Sequence, residues 1–348
     1  MFPLSPTKKF LFAALCFTLL LLAQLNGQAN DHQDPRNQAW ELNINPHQVL
    51  GSESCEKCHS QEIRVWKQTP HFETFNTLHR KKSAQEIANK LGIASFKNDS
   101  NCIQCHYTMK NDEQNQLEAI SGVSCESCHG GSKDWIAVHN DYGGEGVKRE
   151  QESAQHRTQR LLDSIQNGMR NPVNTYLVAQ SCYRCHTVPD ERLVNIGGHV
   201  AGSLDFEIVS WSQGTVRHKF IESDGKINLE STPERLRLLF MTGMIADLEF
   251  SLRATAKATS KDAFGVASAQ RASRALKRLK SAQDKLQITI LDQVLAVVQP
   301  TELKLNNSTV LNRAADTIHS LGIQFAATID GGSLSAIDPF IPPKDKWK

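Results

Sequence analysis

The sequence predicts a mainly α protein in two parts: short helices and loops over residues 30–230, then a helical bundle over residues 231–348. Three observations carry this. Leu236, Leu239, Phe240, Met244, Ile245, Leu248 and Leu252 recur at three- and four-residue intervals, the period of one helix face. Eight of the nine cysteines lie between residues 55 and 185, and none follows. The charge also changes sign: 21 Lys and Arg face 26 Asp and Glu from Asn30 to Glu230, then 16 face 11 from Ser231 to Lys348. The whole chain carries 39 basic and 37 acidic residues in 348, a balance without the basic field that nucleic-acid binding requires.

Taken in order, the chain opens on Lys8 and Lys9, an apolar run from Phe10 to Ala23, and Gly27-Gln28-Ala29. Basic start, apolar run and small-x-small site together make residues 1–29 a cleavable secretory signal peptide. Its 14 apolar-run residues fall short of the ~20 of a membrane-spanning helix. Cys16 leaves with it. The predicted location is the periplasm. Residues 30–50, with Pro35 and Pro46, read as an arm. A short helix is expected over 61–67, and Thr69-Pro70 opens another whose first turn presents His71. Ser83-Ala-Gln-Glu86 is a capping box for a helix ending at Gly92. Residues 96–116 read as irregular, 153–168 and 174–180 as helical. Residues 206–229 alternate weakly around Asp224-Gly225, a hairpin signal. Thr232-Pro233-Glu234 starts the bundle, with further helices over 263–285, 286–298 and 307–327.

The chemistry sits in a repeated unit. Cys125, Cys128 and His129 form Cys-x-x-Cys-His within Gly122-Val-Ser-Cys-Glu-Ser-Cys-His-Gly-Gly131, and it recurs at Cys55/Cys58/His59, Cys102/Cys105/His106 and Cys182/Cys185/His186. This is the c-type haem attachment pattern: two thiols reach two vinyl groups, and the next residue puts an imidazole under the iron. Glycines beside the third unit let backbone lie close to a flat ring. Zinc sites or disulfides would explain paired cysteines but ask for no histidine after each pair. With His only 13 of 348 residues, four such followers are not accidental. Four covalent haems are therefore expected, with His59, His106, His129 and His186 as proximal ligands. Export agrees, because c-type haem is attached outside the cytoplasm. Four porphyrins would supply the apolar core that the short elements lack, coupling this region's folding to its cofactors.

A second axial imidazole on each iron would suit electron transfer. The leading candidates are His71, beside Phe72; His139, near Trp135; and His199, in the glycine-rich Ile196-Gly-Gly-His-Val-Ala-Gly202. His218 follows, then His79, His47 and His156, while His32 and His319 read as bystanders. The second haem, at His106, is left with His79, His218 or no distal ligand.

The third unit, His139 after it and the Gly-Gly-His-Val-Ala-Gly loop resemble the tetrahaem cytochrome c-554 family over roughly residues 50–255. These are extracytoplasmic electron carriers. The resemblance implies that distal histidines are exchanged between segments, His139 serving the iron at His59 and His71 the iron at His129. It also implies one five-coordinate haem, matching the second unit.

The function expected is a periplasmic tetrahaem electron carrier between redox protein partners. The alternative is a haem enzyme acting on a small nitrogen species, nitric oxide or hydroxylamine, at the five-coordinate iron. A third is a haem-bearing sensor or scaffold docked through its bundle. Residues 253–285 hold nine basic and two acidic residues: a solvated helix face on the plain reading, otherwise a docking stripe for an acidic partner or an anionic membrane surface.

Overall fold

The structure, a computed structural model, describes residues 44–348. The signal segment, Cys16 and His32 lie outside the described residues. The protein is mainly α. Its first part contains α1 (Glu53–Trp66), α2 (Pro70–Thr77), α3 (Lys82–Leu91), α4 (Ser100–His106), the strands β1 (Thr108–Asn111) and β2 (Leu117–Ser121), α5 (Cys125–His129), α6 (Ala154–Gln166), α7 (Thr175–His186), α8 (Glu191–Asn195) and α9 (Ile208–Ser212). Then come α10 (Pro233–Lys257), α11 (Ala263–Leu286), α12 (Thr289–Val298), α13 (Ser308–Thr328) and a long 3-10 segment, Gly331–Phe340.

Several boundaries follow from capping chemistry. Thr69 caps α2 through its side chain, with Pro70 in the first turn, and Gly92 closes α3 at φ +71°, where glycine meets no Cβ penalty. The box expected at Ser83 is not used: α3 begins a residue earlier, at Lys82, without a side-chain cap. The expected helix over 61–67 is the second half of α1, which breaks at His59 (φ −118°, ψ 35°). The region 96–116 is more ordered than its polar composition suggests. It holds α4 and the first strand of an antiparallel pair, Met109 opposite Ala119. Residues 206–229 form no strand. Asp224 and Gly225 do turn, both at positive φ, but they close a 3-10 turn, Ile221–Ser223.

Helix α10 departs most from its pattern. Seven apolar positions predict one buried face, yet almost every residue from Leu239 to Ala256 is buried. The helix is surrounded by α7, α9, α11, α13 and the 3-10 segment, so its polar face must find partners inside. Glu249 accepts from Arg253 Nε at 3.0 Å and from Tyr176 Oη at 2.5 Å. Asp247 pairs with Arg271 at 2.5 Å. Such pairs stay buried because each charge is matched and hydrogen-bonded. His319, read as a bystander, belongs here: its Nδ1 lies 2.6 Å from Gln180 Nε2.

Candidate haem sites

Three of the four attachment units end a helix. Cys102, Cys105 and His106 end α4, Cys125, Cys128 and His129 are α5, and Cys182, Cys185 and His186 end α7. The first unit lies in α1 just up to its break at His59. The helix explains the spacing: residues three and four apart share a face, so both thiols and the imidazole emerge together. All eight cysteines are free thiols, with no disulfide among the described residues.

The four pairs of thiols differ in exposure, and Cys58 stands apart. It is exposed, whereas the other seven attachment cysteines are buried or half-buried. The reason is local. Helix α1 buries only Ile63, and Glu56, Lys57 and Ser60 around Cys58 are exposed as well. Cys58 therefore stands on the solvent side of its helix. The first unit is a surface site with one half-buried thiol, Cys55, and not an enclosed pair.

Opposite each of the four unit histidines stands a second one. Ring centroids are 6.4 Å apart for His59 and His139, 6.4 Å for His106 and His199, 6.2 Å for His129 and His218, and 6.3 Å for His186 and His71. Two metal–imidazole bonds of about 2.0 Å, plus about 1.2 Å from each nitrogen to its ring centre, give about 6.4 Å across one shared iron. The protonation states agree. His139, His199 and His218 each place Nδ1 at 2.6–2.8 Å from a backbone carbonyl, those of Ile136, Val200 and Val216. A carbonyl only accepts, so Nδ1 donates and Nε2 keeps its lone pair for a metal. Burial, followed by the facing His218, pushes His129 down to about 4. Burial does the same at His106 and His186, both to about 4, and lowers His71 and His139. Neutral imidazole is the form that ligation requires.

The pairing differs from what the resemblance implies in two places. His71 faces His186 rather than His129, although its carbonyl accepts from Val123 N at 3.0 Å. The backbone of α2 lies beside the third unit while its imidazole reaches the fourth. Gly122, expected to let a flat ring approach, instead admits the first turn of α2: a Cβ there would collide with the carbonyl of His71. His199 faces His106, where an open iron is implied. The loop after α8 folds back so that Gly197 packs on Leu91 and Ile87 of α3, delivering His199 across from α4. Cys102, His106 and His199 line an open pocket with Leu78, Ile87 and Phe96. His47 is exposed and His79 half-buried, each on a 3-10 turn, and His156 pairs with Glu152 at 2.9 Å. None of these three faces a unit.

Buried donors around the sites fit an absent anion. Trp135 Nε1 lies beside His139, Trp211 Nε1 beside His186, Arg217 Nε beside His218, and Arg271 Nη2 near the backbone of His186; none has a protein acceptor. Haem propionates are acceptors of the kind such donors take.

Helix-borne Cys-x-x-Cys-His units facing second imidazoles define a c-type cytochrome with covalently bound haem. Residues 54–130, which hold the first three units, match the family described as cytochrome c554 and c-prime. A stretch of 104 residues is 28% identical to cytochrome c-554 of Nitrosomonas europaea, covering 27% of this chain and 43% of that protein. Over this segment the chain resembles the cytochrome c-554 family, and it spans less than half of that relative. No solved structure matches.

Proposed function

We propose that the protein carries electrons outside the cytoplasm through four covalent haems, each iron held between two imidazoles: His59/His139, His106/His199, His129/His218 and His186/His71. The observation behind this is the fourfold recurrence of a 6.2–6.4 Å gap between facing rings. The haems supply reversible one-electron chemistry. The protein sets their ligation, surroundings and order. An iron held between two such imidazoles would offer a substrate no open place, which favours a carrier over an enzyme acting on nitric oxide or hydroxylamine. Among the described residues no helix is long and apolar enough to cross a membrane.

Contacts between the units supply the order. Glu126 of the third unit accepts from Leu50 N and Gly51 N, just before the first, each at 2.9 Å. Ser181 on α7, beside the fourth unit, donates to the carbonyl of Cys128 at 2.7 Å. Cys185 Sγ lies 3.9 Å from the carbonyl of Gln104, in the second unit. The path therefore runs from the first unit to the third, the fourth and then the second. Redox protein partners would meet the ends of this path. The basic run 253–285 is a weaker docking stripe than its composition suggests, because Arg253 and Arg271 are buried on Glu249 and Asp247.

Intact mass of the exported protein tests the count, and electron paramagnetic resonance with carbon monoxide titration tests the ligation. Four haems, all low-spin, with no carbon monoxide bound on reduction are expected. A high-spin iron binding one equivalent would return the second site to the enzyme reading.

A further inference from the structure

His218 is exposed, whereas the facing His71, His139 and His199 are half-buried. His71 stands on the first turn of α2, and His139 rests edge-on against Trp135, ring centroids 5.1 Å apart, with Arg160 donating to its carbonyl at 2.5 Å. His218 is exposed on a loop, Gly214–Glu230, whose only helical piece is the 3-10 turn 221–223. Asn228 holds one side of it, donating to Arg217 O at 2.6 Å and accepting from Lys219 N at 2.8 Å.

The other side is held from far along the chain. Lys348 N donates to Ser210 O at 3.0 Å, and Thr215 N donates to Lys348 O at 2.7 Å. The guanidinium of Arg217, next to His218, lies 5.9 Å from the ring centre of Trp347, and the ammonium of Lys348 lies 5.4 Å from that of Trp211. Glu230, at the end of the loop, pairs with Lys344 and, at 3.7 Å, with Arg217. Gly214 fits this junction because it lacks a side chain: a Cβ there would run into the backbone of Lys348.

We propose that residues 344–348 are a strap that positions His218 over the iron at His129, so that the region beyond the bundle governs the ligation of the third haem. This rests on the His129/His218 pairing proposed above. The strap touches the loop and not the iron, so its residues position the ligand without being ligands.

Gly214 provides a selective test. It is not among the glycines with positive φ, so Gly214→Ala strains no backbone and acts by evicting the strap. The haem-loaded protein is compared as Gly214→Ala, as a chain ending at Pro343, as both together, and as Trp347→Ala and Trp347→Phe. His218→Ala serves as reference. The readouts are the high-spin signal and the rate of carbon monoxide binding after reduction. His218→Ala should turn one haem high-spin. Gly214→Ala and the shortened chain should each raise the binding rate about tenfold, the scale of one or two lost hydrogen bonds. The double variant should add nothing further, and Trp347→Phe should restore what Trp347→Ala loses. Unchanged rates in Gly214→Ala and the shortened chain, with His218→Ala responding, would overturn the strap alone. A silent His218→Ala would overturn the pairing and the strap with it.

Discussion

The two parts of the chain reach stability by different means. Before α7 the buried apolar side chains among the described residues are Val49, Ile63, Ala84, Ala88, Leu91, Cys102, Tyr107 and Trp135. They are scattered over three helices and the loops between elements. Helix α10 alone buries Leu239, Phe240, Met241, Met244, Ile245, Leu248, Phe250 and Leu252, and Phe264, Leu279, Leu291, Leu311, Ile318 and Phe325 from the neighbouring helices join it. Burial drives folding roughly in proportion to apolar area. The bundle, with α7 to α9 packed on it, has its own core, while the apolar side chains before α7 are too few to make one. Flat apolar rings held by thioethers would supply it. The comparison teaches that in the first part the cofactor is a structural element, whereas in the bundle the chain suffices.

Withholding haem tests this most severely. Protein retained in the cytoplasm, or carrying Cys→Ala at all eight attachment positions, should keep the helices of 233–328 and lose those of 53–166. Circular dichroism with limited proteolysis would show a resistant fragment starting near Asn174, since α7 packs on α10. Full resistance of the first part without haem would erase the distinction.

A smaller effect is expected from truncating the bundle. Phe264 is fully buried with Ala254, Ala258 and Val194 of α8. Phe264→Ala should cost about 3–5 kcal/mol, the range for aromatic truncations in cores. The haem spectrum should hold until the bundle melts. Loss of low-spin haem at temperatures where the bundle remains folded would mean that the two parts share one core.

The same contrast explains what could be read in advance. The attachment units were legible because one helical turn fixes them: three residues, five positions, one face. Their burial was not, since it depends on what packs against each helix, and Cys58 lies exposed on α1 for want of such a neighbour. The bundle was legible because its apolar period is local too, although the period misjudged α10, whose outward face is also buried and satisfied by Arg253, Arg271 and Tyr176. The distal histidines were legible as candidates but not as partners. His71 belongs to a helix start, His199 to a glycine loop and His218 to a turn, and nothing near any of them encodes which iron they meet. That is set by tertiary placement: Gly197 on α3, Gly122 on α2, and the strap on Gly214. The hairpin 108–121 was missed because its strands are short and mostly polar, and tertiary context decided it.

The finest test applies one small change to both parts. Ser153 caps α6, accepting from His156 N at 3.2 Å, and Thr232 caps α10, accepting from Arg235 N at 3.3 Å. Each substitution by Ala removes one such bond, a loss of about 1 kcal/mol of helix stability. In the bundle α10 is the central helix, so Thr232→Ala should lower the stability of the whole unit by about that amount, read as a shift in the denaturation midpoint. In the first part α6 carries no attachment cysteine and buries only Ser164. It is pinned instead by Arg160, which bonds Glu152 and the carbonyl of His139. The first turn should fray without releasing His139, since Arg160 lies beyond it. Ser153→Ala should therefore speed amide exchange at the start of α6 and leave both the midpoint and the haem spectrum in place. Equal midpoint shifts in the two variants would show that α6 is part of a cooperative core, and that the first part is less dependent on its cofactors than its sparse apolar burial indicates.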